Sequence, residues 1–198
     1  MSGHYFKNNP ALKHAYQSYT IELNGHQYRF LTDAGVFSKT YLDFGTRSLL
    51  NVLEIDDQAQ RFLDLGCGYG PIGIYVKKNY PNLDVHLSDV NDRAVLLAQK
   101  NATENQVVLT TIVSDGFNNH ENTFDVITLN PPIRAGKEVI FRLYDESFEH
   151  LTIGGKLWIV IQKKQGAEST VKYLTNLFGN CMVVDKNKGY YILVSKKS

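Results

Sequence analysis

Asn130-Pro131-Pro132-Ile133 follows the apolar run Phe124 to Leu129. Neither proline has an N–H and each fixes its own φ, so the loop is stiff. A stiff loop can hold the Asn130 side-chain oxygen and the Pro131 carbonyl as two acceptors facing the hydrogens of one amino group. That geometry orients a nitrogen lone pair, and it stabilises positive charge developing on the nitrogen as it attacks. Transfer of an already activated group needs this alignment more than it needs an acid or a base.

Earlier in the chain, Arg61-Phe62-Leu63-Asp64-Leu65 reads as a first parallel strand that ends in Gly66-Cys67-Gly68-Tyr69-Gly70 before Pro71 opens a helix. The glycines let backbone approach a ligand, and a proline at the helix start sacrifices no needed N–H. The spacing Gly68-x-Gly70-x-x-Gly73 also fits a dinucleotide fingerprint, with Asp89 at the interval of a ribose-binding acid. Asp89 ends the run DVHLSDV, where its carboxylate can accept from two ribose hydroxyls or cap the next helix. Asp115-Gly116 ends a third strand-like run, where the acid can accept from an adenine amino group or simply form a turn. Three acids at successive strand ends lie where open α/β sheets bind ligands.

The elements that must carry these residues follow from periodicity. Ser18 to Thr32 reads as two β-rich runs joined by Asn24-Gly25, a hairpin turn dipeptide. A glycine-punctuated loop then leads to a helical pattern from Thr46 to Leu53. Beyond Asp56-Asp57, short apolar runs alternate with helical stretches: RFLDL and PIGIYVKKN, DVHLSDV and DRAVLLAQKNA, VVLTTIVSD, FDVITLN and EVIFRLYDESFEHL, then KLWIVIQ. This alternation predicts an α/β, Rossmann-like doubly wound sheet, mostly parallel, with helices on both faces. After a helix near Ala167 to Phe178, the two runs of CMVVDKNKGYYILVS are joined by a turn too short for a crossover, so the last strand must be antiparallel. The expected division is an N-terminal extension, residues 1–45, with the β-hairpin and a covering loop, and a main domain over 46–198.

Composition narrows the class. The 198 residues are 43% hydrophobic, enough for a sizeable core, and the net charge of +1 announces no global field for nucleic acid. Two distant cysteines, Cys67 and Cys181, without paired Cys or His spacing, argue against a disulfide framework and a zinc site and suggest a cytoplasmic protein. Met1 to Pro10 has no apolar signal core, and no run is long enough to cross a bilayer.

With these residues in view, the chain resembles the class I S-adenosylmethionine-dependent methyltransferases. Asp64-Leu65-Gly66-Cys67-Gly68-Tyr69-Gly70 looks like their first motif, Asp89 like their ribose acid, Asn130-Pro131-Pro132 like their amino-methylating motif, and the terminal antiparallel hairpin like their last strands. Within the class it is most similar to the 16S ribosomal RNA guanine-N2 methyltransferases, through Asp33-Ala-Gly35-Val36-Phe37-Ser38, Asp43-Phe-Gly45-Thr46 and Asn130-Pro-Pro-Ile133-Arg134-Ala-Gly136-Lys137. The resemblance implies that Asp64, Gly66 and Gly68, in the loop with Cys67 and Gly70, face the methionine part of S-adenosylmethionine. It assigns Asp89 to the ribose and Asp115 with Gly116 to the adenine, and has Phe37, Ser38 and Thr46 close over the cofactor. The implied target is a guanine amino group in ribosomal RNA or the small ribosomal subunit.

Ile133 stands where adenine-N6 and glutamine-N5 methyltransferases place an aromatic residue, which disfavours those acceptors. An RNA base must be unpaired or flipped out to react. Arg134 and Lys137 are the chosen phosphate contacts, with Lys7, Arg29 and Lys39 behind them, and His4-Tyr5-Phe6 is a candidate aromatic lid. The alternatives are a methyltransferase acting on protein glutamine, adenine N6 or a small molecule, an NAD-dependent oxidoreductase, and a noncatalytic cofactor-binding module.

Overall fold

Alternation of polar and apolar residues in Gln17–Leu23 and His26–Thr32 makes them strands β1 and β2 of an antiparallel hairpin. Asn24 and Gly25 between them both take positive φ, 53° and 75°, as a two-residue turn matched to strand twist requires. The computed structural model describes residues 15–33 and 41–198. Phe37, Ser38, Lys7, Lys39 and the His4-Tyr5-Phe6 segment therefore lie outside the described residues.

The main sheet contains β3 (Arg61–Leu65), β4 (Asp84–Asp89), β5 (Thr110–Val113), β6 (Phe124–Leu129), β7 (Leu151–Gln162), β8 (Met182–Asn187) and β9 (Tyr190–Lys196). Their order is β5-β4-β3-β6-β7-β9-β8; the pairs from β5 through β7 are parallel, and β9 is antiparallel to both of its neighbours. The helices are α1 (Phe44–Val52), α2 (Pro71–Asn79), α3 (Asp92–Glu104), α4 (Lys137–His150) and α5 (Ala167–Phe178). The fold class is the one the sequence predicts.

Two apolar layers sandwich the sheet. Phe62, Leu87, Val126, Trp158 and Val160 point toward α1, α2, α3 and the hairpin. Leu63, Leu65, Ile127, Leu129 and Ile159 point the other way, toward α4 and α5. After β3 the chain builds β4 and β5 on one side, then crosses to β6 on the other. The crevice between the carboxyl ends of β3 and β6 is thus a topological switch point.

Some boundaries differ from the sequence reading. Helix α1 begins at Phe44 because Asp43 caps it, accepting from the Thr46 N–H at 3.1 Å. β7 begins at Leu151, directly after α4, where a register shift against β6 absorbs the two glycines at 154 and 155. β5 keeps only four residues of VVLTTIVSD.

The hairpin is built into the core rather than laid on it. Tyr28 and Phe30 are fully buried, and two asparagines one turn apart on α3 bind the open edge of β2. Asn105 accepts from the Arg29 N–H and donates to its carbonyl. Asn101 does the same for Leu31, at 2.7 and 2.9 Å, and also donates to the Tyr69 carbonyl of the glycine loop. Asn101→Leu would leave those buried groups unpaired, each costing about 1–3 kcal/mol. The expected result is a destabilisation of roughly 3 kcal/mol in urea titration; a change near zero would mean that water replaces the amide.

Candidate active site

The sheet register puts the chemistry-bearing residues in one row. Leu65 pairs with Ser88 on one side and Leu129 on the other, and Asp89 pairs with Val113. Gly66, Asp89, Ser114-Asp115 and Asn130 therefore stand at neighbouring carboxyl ends. Adjacent strands lie about 4.8 Å apart, so Asn130 sits one strand spacing from the glycine loop.

Gly66, Gly68 and Gly70 all take positive φ, at 70°, 57° and 90°, conformations that side chains rarely adopt. A Cβ on Gly68 would meet nothing within 4 Å, so the loop opens toward the crevice there, whereas one on Gly73 would collide with Leu87. The third glycine of the fingerprint thus serves to seat α2 on β4.

Four of the loop amides are already engaged. Gly66 and Cys67 donate to the Ser88 carbonyl, Gly68 donates to Asp89 and Gly70 to the Cys67 carbonyl. At the start of α2, Pro71 has no N–H and the Gly73 amide is taken by the buried Asp64. A dinucleotide site needs such amides and such a helix N-terminus free for a diphosphate. This loop offers instead an open backbone surface ringed by acids, which suits a ligand that carries positive charge and hydroxyls.

Each acid has a distinct environment. The Asp64 side chain also accepts from the Thr128 hydroxyl at 3.2 Å; burial pushes its carboxyl up to about 7, against the pull of the Gly73 amide and Thr128. Asp89 accepts from Gly68 through one oxygen and from Asn91 through the other, both at 2.9 Å. Burial raises it too, against those amides. A carboxylate has about four acceptor sites, so Asp89 keeps capacity for hydroxyl donors. Asp115 is half exposed and paired with Arg142 of α4 at 2.6 Å; Arg142 also binds Glu146, whose other oxygen accepts from the Phe117 N–H. Gly116 lies so close to Glu146 that a Cβ would strike its carboxylate. The Asp115-Gly116 loop is clamped by α4.

On the far side, Asn130 is half-buried, and its side chain has no hydrogen-bond partner among the described residues. Pro132, at φ −75° and ψ 78°, centres an inverse γ-turn in which the Ile133 N–H donates to the Pro131 carbonyl at 2.9 Å. That leaves one of the two carbonyl lone pairs open. Ala135 donates to Pro132, closing the 3₁₀ turn Ile133–Ala135. Ile133 packs against the α4 core.

The other predicted residues are placed as follows. Cys67 is buried, and its thiol is held well above the ordinary range by burial, so it is no nucleophile. Thr46 is buried in the first turn of α1, next to Gly45, which packs on Tyr190 and Val160 near the carboxyl end of β7. Arg134 and Lys137 are exposed just past the Asn-Pro-Pro turn, with the Lys137 ammonium 4.9 Å from the Phe141 ring centre. Arg29 is not part of this surface: it pairs with Glu104 at the far end of α3, because β2 runs along that helix.

Sequence reasoning did not find Asn101, Arg142 and Glu146, nor the brace in which the Tyr19 and Tyr69 hydroxyls meet at 2.7 Å. The local signals for them are two i, i+4 spacings, Asn101 with Asn105 at α3 and Arg142 with Glu146 on α4.

The buried acid gives a pH signature. The folded chain keeps the Asp64 proton up to about 7, whereas an unfolded chain releases it near 3.8; Asp64 thus lowers stability as pH rises through that window. His120 acts oppositely. Burial, with His86 and His150 nearby, pulls its pKa from 6.5 to about 4, so it costs stability as pH falls between those values. Relative to the parent, Asp64→Asn should gain stability toward pH 7, while His120→Phe should gain it toward pH 4. Urea midpoints measured across that range would check both signs.

A model of the methyltransferase small domain matches residues 27–194. The chain is 44% identical over 200 residues to the Bacillus subtilis protein YbxB, covering all of both. It is 30% identical over 189 residues to ribosomal RNA small subunit methyltransferase C of Vibrio cholerae, covering 92% of this chain and 53% of that one. Among solved structures, a T. thermophilus 16S rRNA N2 methyltransferase (RsmC) in complex with AdoMet and guanosine superposes with a TM-score of 0.83 at 24% identity, over 97% of this chain and 53% of that one. A ribosomal protein L11 methylase from Lactobacillus delbrueckii gives 0.61 at 17%, over 78% of this chain and 76% of that one. The chain spans about half the length of the named rRNA methyltransferases it matches. Loop, acids and Asn-Pro-Pro turn stand at one sheet edge inside the matched span, and the chain belongs to the methyltransferase small-domain family.

Proposed function

We propose that the protein transfers a methyl group from S-adenosylmethionine to an exocyclic amino nitrogen, guanine N2 of 16S ribosomal RNA in the small subunit. The observation that carries this reading is the unengaged Asn130 amide one strand spacing from the open glycine loop. Bound S-adenosylmethionine supplies a methyl group already activated on a sulfonium.

The residues fit that cofactor. The loop around Gly68 is open where a ligand would lie, Asp89 keeps acceptor capacity for ribose hydroxyls, and Asp115 is fixed by Arg142 beside the place for an adenine. Asn130 and the free lone pair of Pro131 accept from the two amino hydrogens and aim the nitrogen across the crevice. The γ-turn at Pro132 keeps the Pro131 carbonyl fixed, so little reorganisation is needed at that acceptor as charge develops. Ile133 offers an aliphatic surface, not an aromatic one, beside the target base.

The test is calorimetric titration with S-adenosylmethionine and S-adenosylhomocysteine, followed by transfer of labelled methyl to small subunits that lack the modification. Label recovered in guanine N2 is the expected result. Label in RNA adenine would move the acceptor to adenine N6, and binding without label in RNA would leave a methyltransferase of protein glutamine or a small molecule.

A further inference from the structure

We infer that a basic cleft beside the Asn-Pro-Pro turn, lined by Lys163, Lys164 and Lys188, binds the phosphate backbone of the RNA that carries the target base. This role rests on the proposed methyl transfer to RNA and extends it to a surface that is not part of the cofactor crevice.

The sheet itself builds the cleft. Leu129, the last residue of β6, pairs with Ile159, but β7 runs on for three more residues to Gln162, paired with Tyr190 of β9. At about 3.3 Å per residue the β7–β9 ribbon stands roughly 10 Å above the end of β6. It forms a wall one strand spacing from Asn130. At its rim the chain turns into the 3₁₀ segment Lys163–Gln165, tied to the β8–β9 turn by the Lys163 N–H donating to the Gly189 carbonyl at 2.8 Å.

Between this rim and the first turn of α5 lies a cleft of about 810 Å³ lined by Gln162, Lys163, Lys164, Ser169 and Lys188 among others. All three lysines are exposed. The single acid in the lining, Glu168, meets Lys163 only loosely, at 3.9 Å, so the cleft keeps a positive surplus. Lys188 sits at positive φ, 45°, on the tip of its turn, with its ammonium 4.9 Å from the Phe44 ring centre, and Phe44 lies against Tyr190. A cation set over an aromatic ring at the edge of the cleft suits single-stranded nucleic acid. A base held out of its stack at Asn130 sends its flanking backbone past this wall, with Arg134 and Lys137 on the other side of the turn.

Lys163→Gln, Lys164→Gln and Lys188→Asn combined change charge without touching the cofactor crevice, and asparagine tolerates the positive φ. Binding to labelled poly(U) and to unmodified small subunits would be followed across salt concentrations. Each single-strand phosphate contact contributes about 0.7 to the slope of log affinity against log salt, so the triple variant should flatten it by about 2. Between about 50 and 200 mM salt the parent should then lose about 20-fold more affinity than the variant. KM for subunits should rise with kcat retained, and affinity for S-adenosylmethionine should not move. A parent that binds and methylates RNA while the variant keeps the full slope would overturn the cleft alone. A parent that binds no RNA would overturn both the cleft and the RNA reading.

Discussion

Asn130→Ala is expected to lower kcat by about 10²–10³, a loss of roughly 3–4 kcal/mol of transition-state stabilisation, with affinity for S-adenosylmethionine unchanged. The magnitude follows from what the side chain does in the proposed reaction. Its oxygen is an acceptor at the place where positive charge grows on the attacking nitrogen, and removing one such partner typically costs that much. The fold does not lean on this amide, since the Asn130 side chain carries no hydrogen bond among the described residues. Circular dichroism and thermal midpoint should therefore match the parent. Asn130→Asp is the informative companion: it keeps an acceptor but adds charge near a cationic cofactor, so it should retain more turnover than alanine. Equal kcat in parent and Asn130→Ala would remove this residue from the reaction.

Much of the fold and of the crevice is legible in the sequence. Asn24-Gly25 specifies its turn because few residues tolerate two successive positive φ angles, and PIGIYVKKN specifies α2 because proline opens a helix readily and Gly70 can precede it at φ 90°. Strand-end acids are legible since the βα alternation decides which end of each strand faces the crevice. What stays hidden is whatever depends on partners far apart in the chain. Arg142 clamps Asp115 from 27 residues away, and Asn101 reaches Leu31 and Tyr69 across 70 and 32 residues. No local period encodes either contact. The height of the β7–β9 wall is hidden too, because the register shift between β6 and the start of β7 leaves no hydrophobic signature.

Asp89→Ala is expected to weaken affinity for S-adenosylmethionine by about 10³–10⁴-fold, through loss of the ribose contacts together with loss of the loop's anchor. Two hydrogen bonds from hydroxyls to a carboxylate are worth about 1.5–3 kcal/mol each. Asp89 also accepts from the Gly68 and Asn91 amides and thereby ties the glycine loop to the start of α3. In the proposed site alanine releases both amides as well as the ribose, so the loop loses its fixed shape beside the cofactor. Asp89→Asn separates the two effects. Its one carbonyl oxygen can still accept from Gly68 or from Asn91, and it can still meet one hydroxyl, so affinity should fall by about 10-fold, the worth of one such bond. Calorimetry with S-adenosylhomocysteine, which lacks the transferable methyl, should show the same order of parent, asparagine and alanine. If alanine and asparagine weaken binding equally and only slightly, Asp89 serves the loop and the ribose is held elsewhere.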